Sequence, residues 1–212
     1  MSEPTPATPP GKPAHAFAAT RDWPGYFDAV AGKGPRETLL LALQHFGSFV
    51  GEAVDLGCGE GRDTAELLRR GWRVWAIDGH PDALRRLAAR GDLVGRERLE
   101  ARLATFERVE IPACDLLNSS FSLPFCSPGS FAGLWERIEA AIRPGGRFAG
   151  QFFGDKDSWA TLKDRSHQTR GEIERLLARF EVERLQEEDK PGNDAEGFPK
   201  HWHVFHVVAR RR

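Results

Sequence analysis

Three glycines at alternate positions, Gly57, Gly59 and Gly61, follow the apolar run AVDL, and a second apolar run, WRVWAID, ends on Asp78. A backbone without side chains takes positive φ values readily and brings its amide groups close to a ligand. An aspartate ending the neighbouring strand offers carboxylate oxygens to the paired hydroxyls of a ribose. Neither part is decisive alone. Together, at this spacing, they favour a nucleoside ligand over a tight turn that binds nothing. Two ligand classes compete for such a loop. The dinucleotide fingerprint G-x-G-x-x-G would need its last glycine at position 62, where Arg62 stands, which argues against a nicotinamide-binding oxidoreductase.

The spacing is instead G-x-G-x-G, preceded by Asp55 in VDLGCGEG. It resembles motif I of the class I S-adenosylmethionine-dependent methyltransferases, and the likeness runs through most of residues 23–212. The resemblance implies S-adenosylmethionine as cofactor. It also implies a doubly wound, Rossmann-like α/β fold with seven strands in the order 3-2-1-4-5-7-6, the last antiparallel, and helices on both faces. Asp55 and the backbone of Gly57, Cys58 and Gly59 would lie near the methionine portion, in the loop that Gly61 completes, and Asp78 would hold the ribose. The adenine would meet the Thr105 hydroxyl and the Phe106 amide, with Phe106 or Gly79 flanking the ring. Asn118, Ser119 and Phe121, in DLLNSSF, would stand beside the sulfonium. NSSF lacks the two prolines of the tetrad carried by nucleobase amino-methyltransferases, which weakens a base-modifying reading.

The entry segment DWPGYFDAV, the run SFSLPFC and the ending KHWHVFHVVARR look like small bacterial methyltransferases of the tellurite-resistance type. That likeness implies a small-molecule methyl acceptor such as a thiol, a chalcogen oxyanion or another soft nucleophile. A methyltransferase acting on RNA or protein is the alternative, resting on arginine-bearing helices and the basic ending ARRR. Methyl transfer needs alignment and exclusion of water, with a base only for a protonated nucleophile, so no catalytic triad is required. Trp23, Tyr26 and Phe27, together with the long polar stretch FFGDKDSWATLKDRSHQTR, are expected to roof the site. Tyr26, His201 and His203 are the candidate catalytic residues on the substrate side. His201 and His203 share one face of the last strand by alternation, while Trp202 and His206 share the other as packing. No metal is expected, for want of an evident third ligand.

The elements that position these residues alternate. Pro35 opens a helix carrying Leu39, Leu40, Leu43 and Phe46; EAVDLG and WRVWAID read as strands around the helix DTAELLRRG; Pro81 starts a further helix. LEARLA, ACDLLNSSF and RFAGQFF continue the strands, GLWERIEAAI is helical, and Thr169 with Glu172 forms a capping box for a helix from Arg170 to Phe180. FEVERLQEE and HWHVFHVVARR close as a hairpin on a mostly parallel sheet.

The whole is 212 residues with 40% apolar content, one core's worth, so residues 21–212 are expected as a single domain. Five prolines in the first thirteen residues, without apolar periodicity, predict a disordered tail over residues 1–20. Thirty Lys and Arg against 31 Asp and Glu lack the footprint of a nucleic-acid binder. The absence of a long apolar run and of paired cysteine spacing (Cys58, Cys114, Cys126) predicts no membrane association and a cytoplasmic monomer or homodimer.

Overall fold

The computed structural model describes residues 21–212; the proline-rich stretch 1–20, expected to be disordered, lies outside the described residues. Two helices come first, α1 (Trp23–Val30) and α2 (Glu37–Phe46). Asp22 caps α1 by accepting the Gly25 amide at 3.1 Å, and a proline in the first turn removes an N–H that has no partner there. The alternation then runs β1 (Glu52–Leu56), α3 (Arg62–Arg69), β2 (Arg73–Asp78), α4 (Pro81–Ala89), β3 (Leu99–Leu103), β4 (Cys114–Ser119) and α5 (Pro128–Ala141). It continues through β5 (Ile142–Gly154), β6 (His167–Gln168) and α6 (Arg170–Leu176) to the hairpin β7 (Phe180–Asn193) and β8 (Pro199–Arg211).

The sheet order is β3-β2-β1-β4-β5-β8-β7, with β6 paired to β5 off that path. Strands β1 to β5 are parallel, and β8 is antiparallel to β5 and β7. This is the expected order with one short strand added, because the polar stretch after β5 turns back to pair His167 with Phe153. Both halves of the Thr169–Glu172 capping box form, but α6 stops at Leu176 rather than Phe180. Phe180 is fully buried as the first residue of β7, and that packing ends the helix. Among the described residues, no helix is long and apolar enough to cross a membrane.

Core lies on both faces. α5 and α6 cover one face through Trp135, Ile138 and Ile173 against Phe148, Phe152 and Phe205. α2, α3 and α4 cover the other through Leu39, Leu67 and Leu87 against Val74 and Val208. At the carboxyl end of the strands a smaller aromatic cluster gathers Phe153, Trp159 and Val204 with Tyr26, Phe121 and Trp202.

A buried polar layer pins β1, β4 and α3 to one another. Asp55 and Asn118 are parallel neighbours in register. Asn118 Nδ2 donates to Asp55 at 2.9 Å and to Asp63 at 3.0 Å, while the Thr64 hydroxyl donates to Asp55 at 2.6 Å. The Arg36 amide completes the layer by donating to Asp63 at 2.9 Å. Burial, then the neighbouring Asp63 carboxylate, pushes the Asp55 carboxyl up to about 7. A folded pKa above the unfolded one means that the native state keeps the proton longer. The associated stability is full below the ordinary aspartate range and is lost as the pH rises through 7. The unfolding free energy should therefore fall between pH 5 and pH 7.5, by at most about 1.4 kcal/mol per pH unit for one proton, and Asp55→Asn should flatten that slope. Urea unfolding of both proteins across this range is the check; identical slopes would refute it.

Candidate functional site

The loops leaving β1, β2, β3 and β4 enclose a cleft of about 230 Å³ at the carboxyl edge of the sheet, and α1 closes it from above. This is the edge where open parallel sheets bind ligands. The glycine loop forms one wall. Gly57, Gly59 and Gly61 have φ of +75°, +56° and +85°, the left-handed region that a side chain disfavours. Their uses differ. A Cβ on Gly57 would overlap Ser122, whose hydroxyl donates to the Leu56 carbonyl at 2.8 Å, and one on Gly61 would overlap Leu87. Gly59 has only Phe27 of α1 near its missing Cβ, at 3.4 Å, so its bareness keeps the cleft open.

Asp78 faces the same cleft from the end of β2. Its carboxylate accepts the Gly59 amide at 2.9 Å and the His80 amide at 2.8 Å, one on each oxygen. Each oxygen keeps a lone pair for a further donor, as paired hydroxyls require. Burial raises its pKa, and the two amides oppose the rise. Gly79, Thr105 and Phe106 line the cleft on the β3 side, with Phe121 and Ser120 opposite. Of the residues singled out in the sequence, the structure brings Gly57, Gly59, Asp78, Gly79, Thr105, Phe106 and Phe121 together here.

The others are placed differently. Asp55 and Asn118 bond to each other beneath the loop rather than in the cleft, because strand alternation turns them toward α3. Ser119 is buried, donating to the Leu56 carbonyl at 2.9 Å and meeting the Ser122 hydroxyl at 2.7 Å. Gly61 packs against Leu87, and the buried Cys58 thiol has its pKa pushed well up by burial. These five support the loop from behind.

A second cleft of about 260 Å³ adjoins the first, and Tyr26, Phe121 and Phe125 line both. Its far wall is the hairpin, through Trp202, Val204 and His206 of β8, and Arg36 borders it before α2. The expected catalytic set is corrected here. Tyr26 is at the junction, but burial raises its pKa, so the hydroxyl stays protonated at neutral pH, and it accepts a hydrogen bond from the Arg36 side chain. His201 and His203 line neither cleft. His203 is buried on the opposite face of β8, accepting the Lys156 amide at 3.1 Å and pairing with Glu187 at 3.0 Å, and His201 pairs with Asp189 at 2.7 Å at the surface. The alternation divides the strand as expected, but Trp202 and His206, expected as packing, are the pair that faces the cleft. Glu187, Asp189 and His203 lie close enough to hold a cation. Lys156 and Arg170 already neutralise the two carboxylates, which argues for an ion-pair network in that place.

Arg36 and Phe125 were not expected at the site. Arg36 gave no signal of its own. Phe125 belongs to SFSLPFC, a run whose likeness was legible but whose direction was not. Gly61→Ala should lower stability by about 2 kcal/mol or more, from left-handed backbone strain plus the overlap with Leu87. Urea unfolding measures it, and a loss below about 0.5 kcal/mol would show that the turn tolerates a side chain.

Residues 53–146 match the family model of a methyltransferase domain. A carboxy-S-adenosyl-L-methionine synthase of Vibrio atlanticus (strain LGP32) is 28% identical over 131 residues. The match takes in 59% of this chain, which spans about half the length of that relative, 52%. Among solved structures, TehB from Haemophilus influenzae superposes with a TM-score of 0.73 at 16% identity, covering 90% of this chain and 67% of that one. The 1,6-didemethyltoxoflavin-N1-methyltransferase of Burkholderia thailandensis, with bound 1,6-didemethyltoxoflavin and S-adenosylhomocysteine, gives a TM-score of 0.65 at 23% identity over 97% of this chain and 93% of its own. The two structures establish the fold, and the domain match covers the glycine loop and Asp78. The chain shares the fold of these two structures, and its residues 53–146 match a methyltransferase domain.

Proposed function

We propose that the chain transfers a methyl group from S-adenosylmethionine to a small-molecule acceptor held in the second cleft. The observation that carries this reading is the junction of two small clefts, one with a bare glycine loop and a ribose-ready carboxylate, the other walled by aromatic rings. S-adenosylmethionine supplies a methyl carbon on a sulfonium, whose C–S electron pair stays with sulfur as the acceptor's lone pair bonds to the carbon.

The residues of the chain bind, orient and exclude water. The Gly57 and Gly59 backbone takes the amino-acid portion of the cofactor, Asp78 the ribose, and Thr105 with Phe106 the adenine. Phe121, Phe125 and Tyr26 stand where aromatic faces suit a cation and shed water from the reacting atoms. His206 has its pKa lowered by burial and is therefore neutral at pH 7. It is the base at hand in the second cleft when the acceptor arrives protonated.

A nucleic-acid acceptor finds little support. Arg69 and Arg70 are bound to Glu66, Arg85 and Arg86 to Asp82, and Arg90 to Asp92, so these helices present paired charges. Titration calorimetry should show S-adenosylhomocysteine binding, and Asp78→Ala should weaken it by about 1–3 kcal/mol. Absence of binding at millimolar ligand would overturn the reading. A panel of thiols, small amines, selenite and tellurite, assayed for S-adenosylhomocysteine release and for product mass, identifies the acceptor. A modified cofactor in place of a methylated acceptor would count against methyl transfer.

A further inference from the structure

The second cleft is specific about charge. Arg36 lies over the Phe121 ring with its guanidinium carbon 4.3 Å from the centroid. Among the described residues, no carboxylate lies within ion-pair distance of Arg36, of its neighbour Arg62, or of Lys33 at the cleft's rim, although most arginines of the chain are so paired. The two acids of the cleft have partners other than Arg36. Glu188 faces His206 at 3.4 Å and Lys190 at 3.4 Å, and Asp194 accepts the amides of Glu196 and Phe198 at 3.0 and 2.9 Å. What the cleft offers a ligand is the Arg36 guanidinium, one of whose donors meets the Tyr26 hydroxyl, set against aromatic faces, with Glu188 and Asp194 also lining the cleft.

Those faces are held in place. Phe121 is one of two non-glycine described residues with positive φ, at +55°. Its amide donates at 3.0 Å to the buried Gln151 side chain, which itself donates at 2.9 Å to Thr38. A residue fixed in a disfavoured conformation marks a wall whose position matters. The Trp202 ring meets that of Phe121 edge to face with centroids 6.2 Å apart, and its indole N–H donates to the Asn193 carbonyl at 3.0 Å. Trp159 and Phe153 back Trp202 at 6.0 and 5.8 Å.

We infer that the acceptor is an aromatic molecule bearing a carboxylate, its ring packed against the wall that Phe121 and Trp202 form together and its carboxylate on Arg36. An arginine fork matches a carboxylate with two parallel hydrogen bonds, and desolvation against aromatic walls strengthens both. The inference rests on the assignment of the second cleft to the acceptor and adds the chemical class.

The test is calorimetric, with 2-naphthoate, its neutral isostere 2-naphthamide, cyclohexanecarboxylate and selenite as probes, each titrated with and without saturating S-adenosylhomocysteine. The wild type should bind 2-naphthoate at least about tenfold more tightly than 2-naphthamide or cyclohexanecarboxylate, a gap of about 1.4 kcal/mol. Arg36→Met should erase the preference for naphthoate over naphthamide, Arg36→Lys should keep part of it, and Trp202→Leu should weaken both aromatic probes alike. The Arg36 amide that holds Asp63 is backbone and survives these substitutions. S-adenosylhomocysteine affinity, read from the same samples, should stay within about twofold in the Arg36 variants. Equal binding of naphthoate and naphthamide, no naphthoate binding by wild type, or selenite as the sole Arg36-dependent ligand would overturn the inference. Failure of S-adenosylhomocysteine to bind would instead strike the methyltransferase reading, while the naphthoate titration without it still decides the role of Arg36.

Discussion

Asp78 accepts the amides of Gly59 and His80, so one carboxylate at the end of β2 fixes both the glycine loop of β1 and the entry to α4. The Gly57 and Cys58 amides donate to the Ile77 carbonyl at 2.7 and 3.1 Å and the Gly61 amide to the Cys58 carbonyl at 3.0 Å, and the Asp78 clamp adds the Gly59 amide to these bonds. The clamp also sets the electrostatics of the cleft. A carboxylate already accepting two amides is fixed in rotamer and remains able to take two more donors. The raised pKa of Asp78 has the same origin: the cleft is dry enough to penalise its charge, and the amides keep the penalty small.

Beneath the clamp, the Asp55–Asn118–Asp63 layer does for the strands what Asp78 does for the loop. Two buried carboxylates share one amide donor, and Thr64 and the Arg36 backbone satisfy what remains. The arrangement stores charge below the glycine loop without exposing it to the ligand. It also links β1 to the α1–α2 connection, since Arg36 touches this layer through its backbone and the second cleft through its side chain. The two clefts are therefore built on one frame.

Sequence periodicity made the parallel half of the fold legible because each of its elements buries one continuous stripe. Leu67 and Leu68 of α3, Val74 and Ala76 of β2, and Leu87 of α4 all follow from local pattern. The glycine loop and Asp78 were equally legible, since their chemistry depends on neighbours in sequence. What local pattern did not reveal depends on long-range facing. Asp55 and Asn118 look like ligand contacts in a linear reading, and only the β1–β4 register shows them facing each other. For β8, alternation divides the histidines correctly but does not say which face meets the cleft. That is decided by β5, whose Gly154 leaves room for the His203 ring on the far side. β6 escaped notice because two residues pairing with Phe153 and Gly154 make no pattern.

The same division explains where specificity resides. The family match stops at residue 146, within β5, and contains every element around the first cleft except α1. Arg36, Trp202 and His206, which shape the second cleft, all lie outside it. A cofactor that is the same across a family needs the strand-to-loop geometry of the parallel sheet. In the proposed assignment, the acceptor would be left to the elements at either end of the parallel sheet. In this chain those elements meet through Tyr26, Phe121 and Phe125, the residues common to both clefts. Phe121 is anchored by Gln151 of β5 and covered by Arg36, so the ring common to both clefts has little freedom to move. In the proposed reaction, alignment of methyl donor and acceptor would follow from packing that exists before either arrives.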